Sequence, residues 1–377
     1  MNELGWKRMG CEESQWEDWK FQMRNLIRTE EQLSRWVEIS PRERDGIAAT
    51  SSSYLWMITP YYASLMNPDN ESCPIRLQSI PHPQEIGLVP NADVDPVGDM
   101  KYSKTRRIVH KYPNRVIMLV SDTCPVYCRH CTRKFHTTSI EGTYYNDDFS
   151  KDYEGDFEYI AAHPEITDVL LTGGDPLILS DDKIEVILQR LRAIPHVEII
   201  RIGTRYPVFL PQRITPSLCA VIAKYHPVWI STHFNHPVEV TARSADAVDL
   251  LLRHGIPVQN QSVLLKGVND SVEVMRSLNR SLLRIRVRPY YLYHADNVVG
   301  VSHFRTSVSD GMKILEGLHG DETGFSVPNY VLTTHLGKIP LTNRYYSEFG
   351  GSAFIRSYAN EVADVTDYLS LERAQDK

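Results

Sequence analysis

Short apolar runs rich in β-branched residues recur along the middle of the chain and predict six strands. From the second run onward, they follow one another about every 30 residues, which is the length of a strand with its crossover helix. The six runs are residues 116–120, 167–171, 198–202, 227–231, 258–264 and 285–291.

The segments between these runs carry apolar residues at helical spacing, over 157–162, 182–194, 216–226, 243–254 and 272–283. Strands that alternate with helices form a parallel sheet, and uninterrupted apolar strands indicate that both faces of the sheet are covered. The predicted fold class is therefore α/β. A curved, partial (β/α)6 barrel is the simplest closure, although a flat, doubly wound sheet would give a similar pattern.

The first hundred residues follow a different pattern. Apolar residues recur at helical spacing over 12–37, with a helix start at Thr29. Residues 67–99 are rich in Pro, Asn, Asp and Gly, which is typical of an extended linker or wrapping arm. We therefore divide the chain into a helical N-terminal region and linker (1–100), a barrel core (101–325) and a C-terminal segment (326–377).

Composition narrows the class of function. With 42% apolar and 23% charged residues, the 377-residue chain has ordinary globular composition, and a formal charge of -6 argues against a nucleic-acid binder. Residues 1–11 contain charges and no apolar secretory segment, and no run approaches the ~20 apolar residues of a membrane span. We expect a cytoplasmic protein that binds small molecules, without a membrane or nucleic-acid partner.

Three of the six cysteines, Cys124, Cys128 and Cys131, lie in one short loop just after the first apolar run. Their C-x3-C-x2-C spacing suits three irons of a 4Fe-4S cluster and leaves one iron open to a small chelating molecule. The alternative is a structural zinc site completed by His130 or His136, but such sites usually draw their ligands from two separate halves. The ligand count and the spacing favour the cluster.

Further polar residues follow the later strands, at the end of a parallel α/β fold where ligands bind. Residues 173–175, 201–205, His233 and 260–261 all fall at this end, as does the cysteine loop. The sequence therefore predicts that one site collects these residues.

The cysteine loop resembles the signature of the radical S-adenosylmethionine (SAM) superfamily, and residues 127–133 resemble the lysine 2,3-aminomutase family in particular. The similarity extends over about residues 16–341. This resemblance implies a curved barrel and a 4Fe-4S cluster that cleaves SAM to a 5'-deoxyadenosyl radical. Further matching segments are 112–115, 172–176, 201–205, 210–216, 232–237, 260–265 and 286–291.

The resemblance also implies roles for particular residues. Gly173 and Gly174 let the backbone approach SAM closely. Asp175 accepts a hydrogen bond from the SAM amino group, and His233 makes a further contact. Arg133, just after the last cluster cysteine, holds the α-carboxylate of the substrate through a bidentate pair.

Lys338 matches the family lysine that forms a Schiff base with pyridoxal 5'-phosphate (PLP). The PLP phosphate needs cationic partners. Arg115 matches a family phosphate ligand. Lys111 stands where the family often has arginine. A lysine at this position keeps the positive charge but cannot form the paired hydrogen bonds of a guanidinium. Gln261 adds a hydrogen bond.

The sequence departs from the family in its substrate pocket. Lysine 2,3-aminomutases hold the distal ammonium of lysine with two aspartates, of which Asp296 matches the first, whereas Thr333 stands at the second, in a shortened loop. One carboxylate still favours a cationic side chain, either lysine or arginine. No cysteine follows Cys219, so we expect no zinc and no counterpart of the C-terminal zinc site of the family.

These features together predict a PLP-dependent radical SAM 2,3-aminomutase that converts lysine or arginine to its β-amino acid. We expect a homo-oligomer that receives electrons from a donor such as flavodoxin or ferredoxin. Two alternatives stay open. The same groups could end in a desaturation or another oxidation of an amino acid, and a non-catalytic iron-sulfur or zinc protein would use the same loop.

Overall fold

The computed structural model describes residues 5–87, 89–90, 92–138, 152–334, 337–342, 346–350, 352–356 and 361–364. Through them runs a nine-stranded sheet whose strands lie side by side in sequence order. The strands from the second to the eighth are parallel, and one antiparallel strand pairs with each edge. The strands are β1 (Ile108–Tyr112), β2 (Arg115–Ser121), β3 (Asp168–Gly173), β4 (Ile199–Gly203), β5 (Val228–Thr232), β6 (Val258–Leu264), β7 (Arg288–His294), β8 (Asn329–Thr334) and β9 (Gly337–Pro340).

The six predicted strands are β2 to β7, with β7 displaced toward the C-terminal end of its apolar run, so the α/β class is confirmed. The expectation of six parallel strands was one short, because β8 continues the parallel order. Only Tyr330 and Val331 of β8 are fully buried, so its apolar signal is weak. A separate antiparallel sheet follows, of β10 (Tyr346–Phe349), β11 (Ser352–Arg356) and β12 (Val362–Asp364).

Side chains alternate along the strands between a helix-covered face and an inner cavity. On β4, Ile200 and Ile202 are buried, whereas Arg201 between them lines the cavity. On β5, Val228 and Ile230 are likewise buried. Because successive side chains of a strand point to opposite faces, the apolar positions hold the helices and the others remain for a site.

The two edges of the sheet come together, so the sheet is rolled into a nearly closed barrel. Lys111 Nζ on β1 donates to Thr334 O on β8 at 2.6 Å. The backbone N–H of Lys338 on β9 donates to Tyr112 Oη on β1 at 2.8 Å. These two hydrogen bonds form what we call the seam. The curvature implied by the family resemblance is therefore present.

Short helices make up the N-terminal region. Thr29 caps α4 through Oγ1, which accepts from Gln32 N, as the predicted helix start requires. Leu33, Trp36 and Tyr62 belong to the same hydrophobic core as the buried residues of the barrel strands. The helices are α1 (Gly5–Met9), α2 (Glu13–Trp16), α3 (Trp19–Arg24), α4 (Glu30–Ser34), α5 (Pro41–Thr50), α6 (Pro60–Ala63), α7 (Pro74–Ser79) and α8 (Asp99–Tyr102).

The prediction of an extended linker over 67–99 was wrong for its central part. Helix α7 lies there, and Ile75 and Ile80 are buried in the main core. Arg76 is also buried and pairs with Glu43 of α5, with N–O distances of 2.5 and 2.9 Å. The high content of Pro and Asn predicted an extended segment. In the structure, two buried apolar residues and one buried ion pair anchor this segment to the core.

The remaining helices include the crossovers that cover the outside of the barrel. Helix α11 buries Ile184, Ile187, Leu188 and Leu191, a stripe at helical spacing. In the part of the chain that the structure describes, no helix is long and apolar enough to cross a membrane. The helices are α9 (Lys134–Thr138), α10 (Glu154–Ala161), α11 (Asp181–Arg192), α12 (Tyr206–Phe209), α13 (Pro216–Ala223), α14 (Ala242–Arg253), α15 (Val272–Arg284) and α16 (Val308–Leu318).

Candidate active site

The three predicted cluster cysteines lie together at the C-terminal end of the barrel. The loop that follows β2 carries Cys124, Cys128 and Cys131, which line one cavity of about 180 Å³ and form no disulfide. Burial raises the pKa of the Cys124 thiol well above its usual range. Such a thiol ionises when a metal centre supplies compensating positive charge.

The arrangement of the cysteine loop bears on the zinc alternative. Among the described residues, no group of three or more His, Cys, Asp or Glu side chains is placed to hold a single metal ion. The three thiols therefore share a cavity without converging on one point, and neither His130 nor His136 completes a set with them. A cluster needs separated thiolates because each one binds a different iron. The three thiols fit the three irons that the cysteine spacing of a 4Fe-4S cluster requires.

A buried ion group fixes the cysteine loop to the N-terminal region. The Glu85 carboxylate accepts from Arg129 and Lys134 of the loop, each at 2.5 Å. Burial alone would raise the pKa of Glu85, but these two cations hold it at about 2. The Arg129 N–H also donates to Gln78 O at 2.9 Å. These contacts fix the loop that carries the three cysteines to the N-terminal region.

Gly173 and Gly174 let the end of β3 dock directly on the backbone that leads to Cys124. Gly173 has a φ of 124°, and a Cβ there would lie 2.1 Å from Ser121 O. A Cβ on Gly174 would lie 2.3 Å from Thr123 O. A side chain at either position would push β3 away from the cysteine loop. The close packing of β3 on this loop therefore requires glycine at both positions, in addition to the predicted approach to SAM.

Asp175 is buried, and both of its carboxylate oxygens accept hydrogen bonds from the protein. Oδ1 accepts from Thr204 Oγ1 at 2.7 Å and from Leu177 N at 3.1 Å, and Oδ2 accepts from Arg205 N at 2.7 Å. Burial raises the pKa of Asp175 to about 6 despite these bonds. Asp175 thereby ties the β3 loop to the β4 loop, and its contact with SAM stays a prediction.

Lys338 lines a second cavity, of about 470 Å³, and part of its side chain is exposed to solvent, whereas its amine is surrounded by protein groups. Its Nζ donates to Tyr293 Oη at 2.5 Å and lies 5.2 Å from the ring centre of Tyr291. Desolvation of the ammonium lowers its pKa from the ordinary 10.5 to about 8, and the positive charges of Arg201 and Arg115 act in the same direction. A measurable fraction of this amine is neutral near pH 7, as attack on a carbonyl carbon requires.

The wall of the Lys338 cavity is cationic. Arg115 stacks on Tyr112, 3.8 Å from its ring centre, and donates to Asn114 Oδ1. Lys111 lines the same cavity, but its Nζ already donates to Val97 O and Thr334 O. This combination of positive groups matches a phosphate dianion.

His233 and Gln261 lie between the two cavities. His233 lines the cysteine cavity, and burial together with the charges of Arg205 and Lys338 lowers its pKa to about 3. Gln261 bonds His233 through its backbone and accepts from Tyr293 Oη through Oε1 at 3.3 Å. The Lys338 amine and the cysteine cavity are therefore neighbours.

Two predicted substrate residues, Arg133 and Asp296, lie in the same neighbourhood and have protein partners. Arg133 Nε donates to Asp99 Oδ2 at 2.7 Å. Asp296 Oδ2 accepts from Thr132 Oγ1 at 2.6 Å, whereas Oδ1 is buried without a hydrogen-bond partner in the described residues. Burial raises the pKa of Asp296 to about 6, against the opposing effects of Thr132 and Arg133.

A third cavity, of about 310 Å³, opens beside Asp296. Thr333, where the family pattern has a second aspartate, lies on its wall with Thr334 and Asp93. Residues 335–336 of the shortened loop lie outside the described residues. The cavity presents two hydroxyls and the carboxylates of Asp93 and Asp296 to a ligand, and Arg305 also lies on its wall.

Comparisons with known proteins agree with this geometry. A family model described as the radical SAM superfamily matches residues 118–278. An L-lysine 2,3-aminomutase of Fusobacterium nucleatum subsp. nucleatum is 44% identical over 358 residues, which cover 94% of this chain and 83% of that protein. The chain belongs to the lysine 2,3-aminomutase family. Another relative, the glutamate 2,3-aminomutase of Clostridioides difficile, is 39% identical over 97% of this chain and 87% of its own length.

As a member of the lysine 2,3-aminomutase family, the protein is a radical SAM aminomutase, and the predicted enzyme class is confirmed. Its radical SAM domain implies a 4Fe-4S cluster and SAM. The substrate is a finer question, because one relative is named for lysine and another for glutamate.

Sequence reasoning missed two residues of this aminomutase site and one contact. Tyr293 contacts Lys338, and Asp99 contacts Arg133. Arg205 lies in the predicted segment 201–205, but its contact with Cys128 was not predicted. Tyr291 and Tyr293 alternate along β7, so their period of two could have identified a shared inward face. The Arg205 and Asp99 contacts have no comparable signal, because they join segments far apart in the chain.

Proposed function

We propose that this enzyme moves the α-amino group of lysine or arginine to the β-carbon with the help of PLP. The proposal depends on one observation, the hydrogen-bonded chain that connects Lys338 to the cysteine cavity. Lys338 Nζ donates to Tyr293 Oη, which donates to Gln261 Oε1, and the Gln261 backbone bonds His233 on the wall of the cysteine cavity. A radical source, an amine-binding cofactor and a cationic side chain would each find complementary chemistry there.

Cys124, Cys128 and Cys131 would hold three irons and leave the fourth to SAM. The cluster and SAM together supply a 5'-deoxyadenosyl radical that removes a substrate hydrogen. His233, kept neutral by burial, would contact SAM without adding a positive charge beside the sulfonium. Gly173 and Gly174 would keep this wall of the cavity against the cysteine loop.

PLP would supply an electron sink for the migrating amine. Lys338 would present a partly neutral nitrogen to it, with Tyr293 Oη in place to share the proton at Nζ. Arg115 and Lys111 would balance the phosphate charge. Gln261 would orient the Tyr293 hydroxyl through Oε1.

The substrate would be held at both ends. Its α-carboxylate would replace Asp99 as a partner of Arg133, with the same charge and hydrogen-bonding groups. Its distal cation would pair with Asp296, whose Oδ1 is buried and lacks a donor among the described residues. Thr333 offers a hydroxyl in place of the second aspartate of the family pattern, which leaves Asp296 as the buried carboxylate of this cavity.

The test is a substrate panel with the anaerobically reconstituted, reduced enzyme, SAM, PLP and each common amino acid, read as isomeric β-amino acids by mass and retention. Lysine or arginine should turn over, and glutamate should not, because it would bring a like charge to Asp296. Asp296→Asn should lower kcat/KM, and the decrease should correspond to a loss of at least ~2 kcal/mol of transition-state stabilisation.

The matched control is Asp93→Asn, which changes an exposed carboxylate on the rim of the same cavity and should leave kcat/KM nearly unchanged. Preferred turnover of glutamate or of an apolar amino acid would contradict the role of Asp296. A product that lacks two hydrogens would contradict isomerisation and favour the oxidative alternative.

A further inference from the structure

Arg205 is a buried arginine that points one end of its guanidinium at a cluster cysteine. Nη1 donates to Cys128 Sγ at 2.9 Å. Nε donates to His233 O at 2.8 Å, and the guanidinium carbon lies 4.3 Å from the ring centre of Phe209. The side chain is only 8% exposed, so water does not compete for the sulfur contact.

A buried network on the far side fixes this orientation. Arg205 Nη2 donates to Glu239 Oε1 at 3.0 Å and to Gln78 Oε1 at 3.2 Å. Glu239 is fully buried and accepts further bonds from Tyr62 Oη and from Gln78 Nε2. Every nitrogen of the guanidinium therefore has a partner, and protein contacts fix the orientation toward Cys128.

We propose that Arg205 is a positioning residue that raises the reduction potential of the cluster through its hydrogen bond to Cys128. The inference depends on the proposed role of the cysteine loop. One-electron reduction by an external low-potential donor adds a negative charge that is shared by the irons and their thiolates. An N–H donor and a nearby cation stabilise the reduced form more than the oxidised form.

Glu239 moderates this effect, because its negative charge lies on the other side of the same guanidinium. Arg205 and Glu239 therefore shift the potential in opposite directions. Arg205→Lys cannot donate to Cys128 and Glu239 through two separate nitrogens, so this variant lowers the potential. Glu239→Gln leaves Arg205 in place, removes the opposing charge and raises the potential. A merely structural role would not produce shifts of opposite sign.

The experiment is an EPR-monitored redox titration of the reconstituted 377-residue protein without SAM, with dithionite as reductant and iron content measured in each sample. Arg205→Lys should lower the ratio of reduced to oxidised cluster about tenfold at the wild-type midpoint, the usual scale of one hydrogen bond to a charged group. This change corresponds to 59 mV for a one-electron couple.

The control is Arg76→Lys, which alters a buried arginine that pairs with Glu43 and should leave the potential unchanged. Equal potentials in wild type, Arg205→Lys and Glu239→Gln, each with full iron content, would overturn the inference. If Arg205→Lys fails to assemble a cluster, Glu239→Gln decides, since an unchanged potential refutes the proposal. Absence of a cluster from the wild type would instead refute the role of the cysteine loop.

Discussion

At the scale of single residues, Lys338 shows how the barrel changes an ordinary side chain. The amine lies among Arg201, Arg115 and aromatic rings, and desolvation lowers its pKa to about 8. A lysine with the ordinary pKa of 10.5 would be almost fully protonated at neutral pH. The cationic wall suited to a phosphate thus also prepares the nucleophile.

The first prediction concerns the pH dependence of PLP capture. Because only the neutral amine attacks, the rate constant for covalent PLP incorporation should rise with pH, with a midpoint of about 8, and level off above it. Borohydride trapping at timed intervals, followed by peptide mapping, measures the rate at Lys338. Lys338→Arg keeps a cation and should give no capture at this position. A midpoint near 10.5 would show that the cavity does not perturb the amine.

The residues that the sequence predicted and those that it missed differ in a physical way. Cys124, Cys128 and Cys131 are close in the chain, so their spacing alone indicates a shared ligand. Arg205 reaches Cys128 across 77 positions, and Lys338 reaches Tyr293 across 45. Such contacts depend on the order and curvature of the strands, which a local pattern does not contain.

At the scale of elements, the cysteine loop is held by the N-terminal region as well as by the barrel. Glu85 pairs with Arg129 and Lys134, and all three are buried. Removing one member of a buried ion group leaves the others without compensation, which costs more than the group contributes when intact. The loop and the segment before α8 should therefore respond together to mutation.

The second prediction is that Glu85→Ala lowers the free energy of unfolding by about 3 to 5 kcal/mol and impairs iron retention. Denaturant unfolding and iron content measure the two effects. Glu43→Ala, which breaks the buried pair with Arg76 away from the loop, should lower stability without impairing iron retention. Equal iron loss in both variants would contradict a specific role of Glu85 in fixing the cysteine loop.

The same ion group predicts how stability depends on pH. The pKa of Glu85 falls from the ordinary 4.5 to about 2 in the folded protein, so its contribution is complete above 4.5 and is lost as the pH falls toward 2. The unfolding free energy of Glu85→Gln should therefore depend less on pH in this window than that of the wild type. Parallel curves from urea titrations at several pH values would refute the assignment.

The elements themselves differed in how well the sequence revealed them. Strands β2 to β7 have apolar runs because helices cover one face, and this burial pattern is visible in the sequence. Helix α7 was missed because its segment is rich in turn-forming residues, although Ile75 is fully buried. Edge strands β1 and β9 have no continuous apolar run. Their inner faces line the cavity, and each pairs with a neighbouring strand on one side only.

At the scale of the whole molecule, the barrel is an open sheet whose edges are joined by side chains. The fourth prediction is that Tyr112→Phe, which removes the acceptor of the Lys338 N–H, speeds amide exchange in β9 about fivefold, as expected for a loss of about 1 kcal/mol. Exchange in β4 and β5 should not change. Hydrogen-deuterium exchange with mass spectrometry resolves these segments.

The control for this prediction is Tyr159→Phe, which removes the hydroxyl that bonds His110 Nδ1 on β1 at 2.9 Å, away from the seam. This variant should leave exchange in β9 unchanged. A uniform increase over the whole sheet in Tyr112→Phe would indicate general destabilisation and contradict a local function of the seam.

The seam also determines what holds Lys338 in place. Backbone ladders join each neighbouring pair from β1 to β9, whereas in the described residues none joins β9 back to β1. Lys111, Tyr112 and Lys338 lie at this junction and line the larger cavity. The position of Lys338 therefore depends on side-chain hydroxyls, because its backbone N–H donates to Tyr112 Oη and its Nζ donates to Tyr293 Oη.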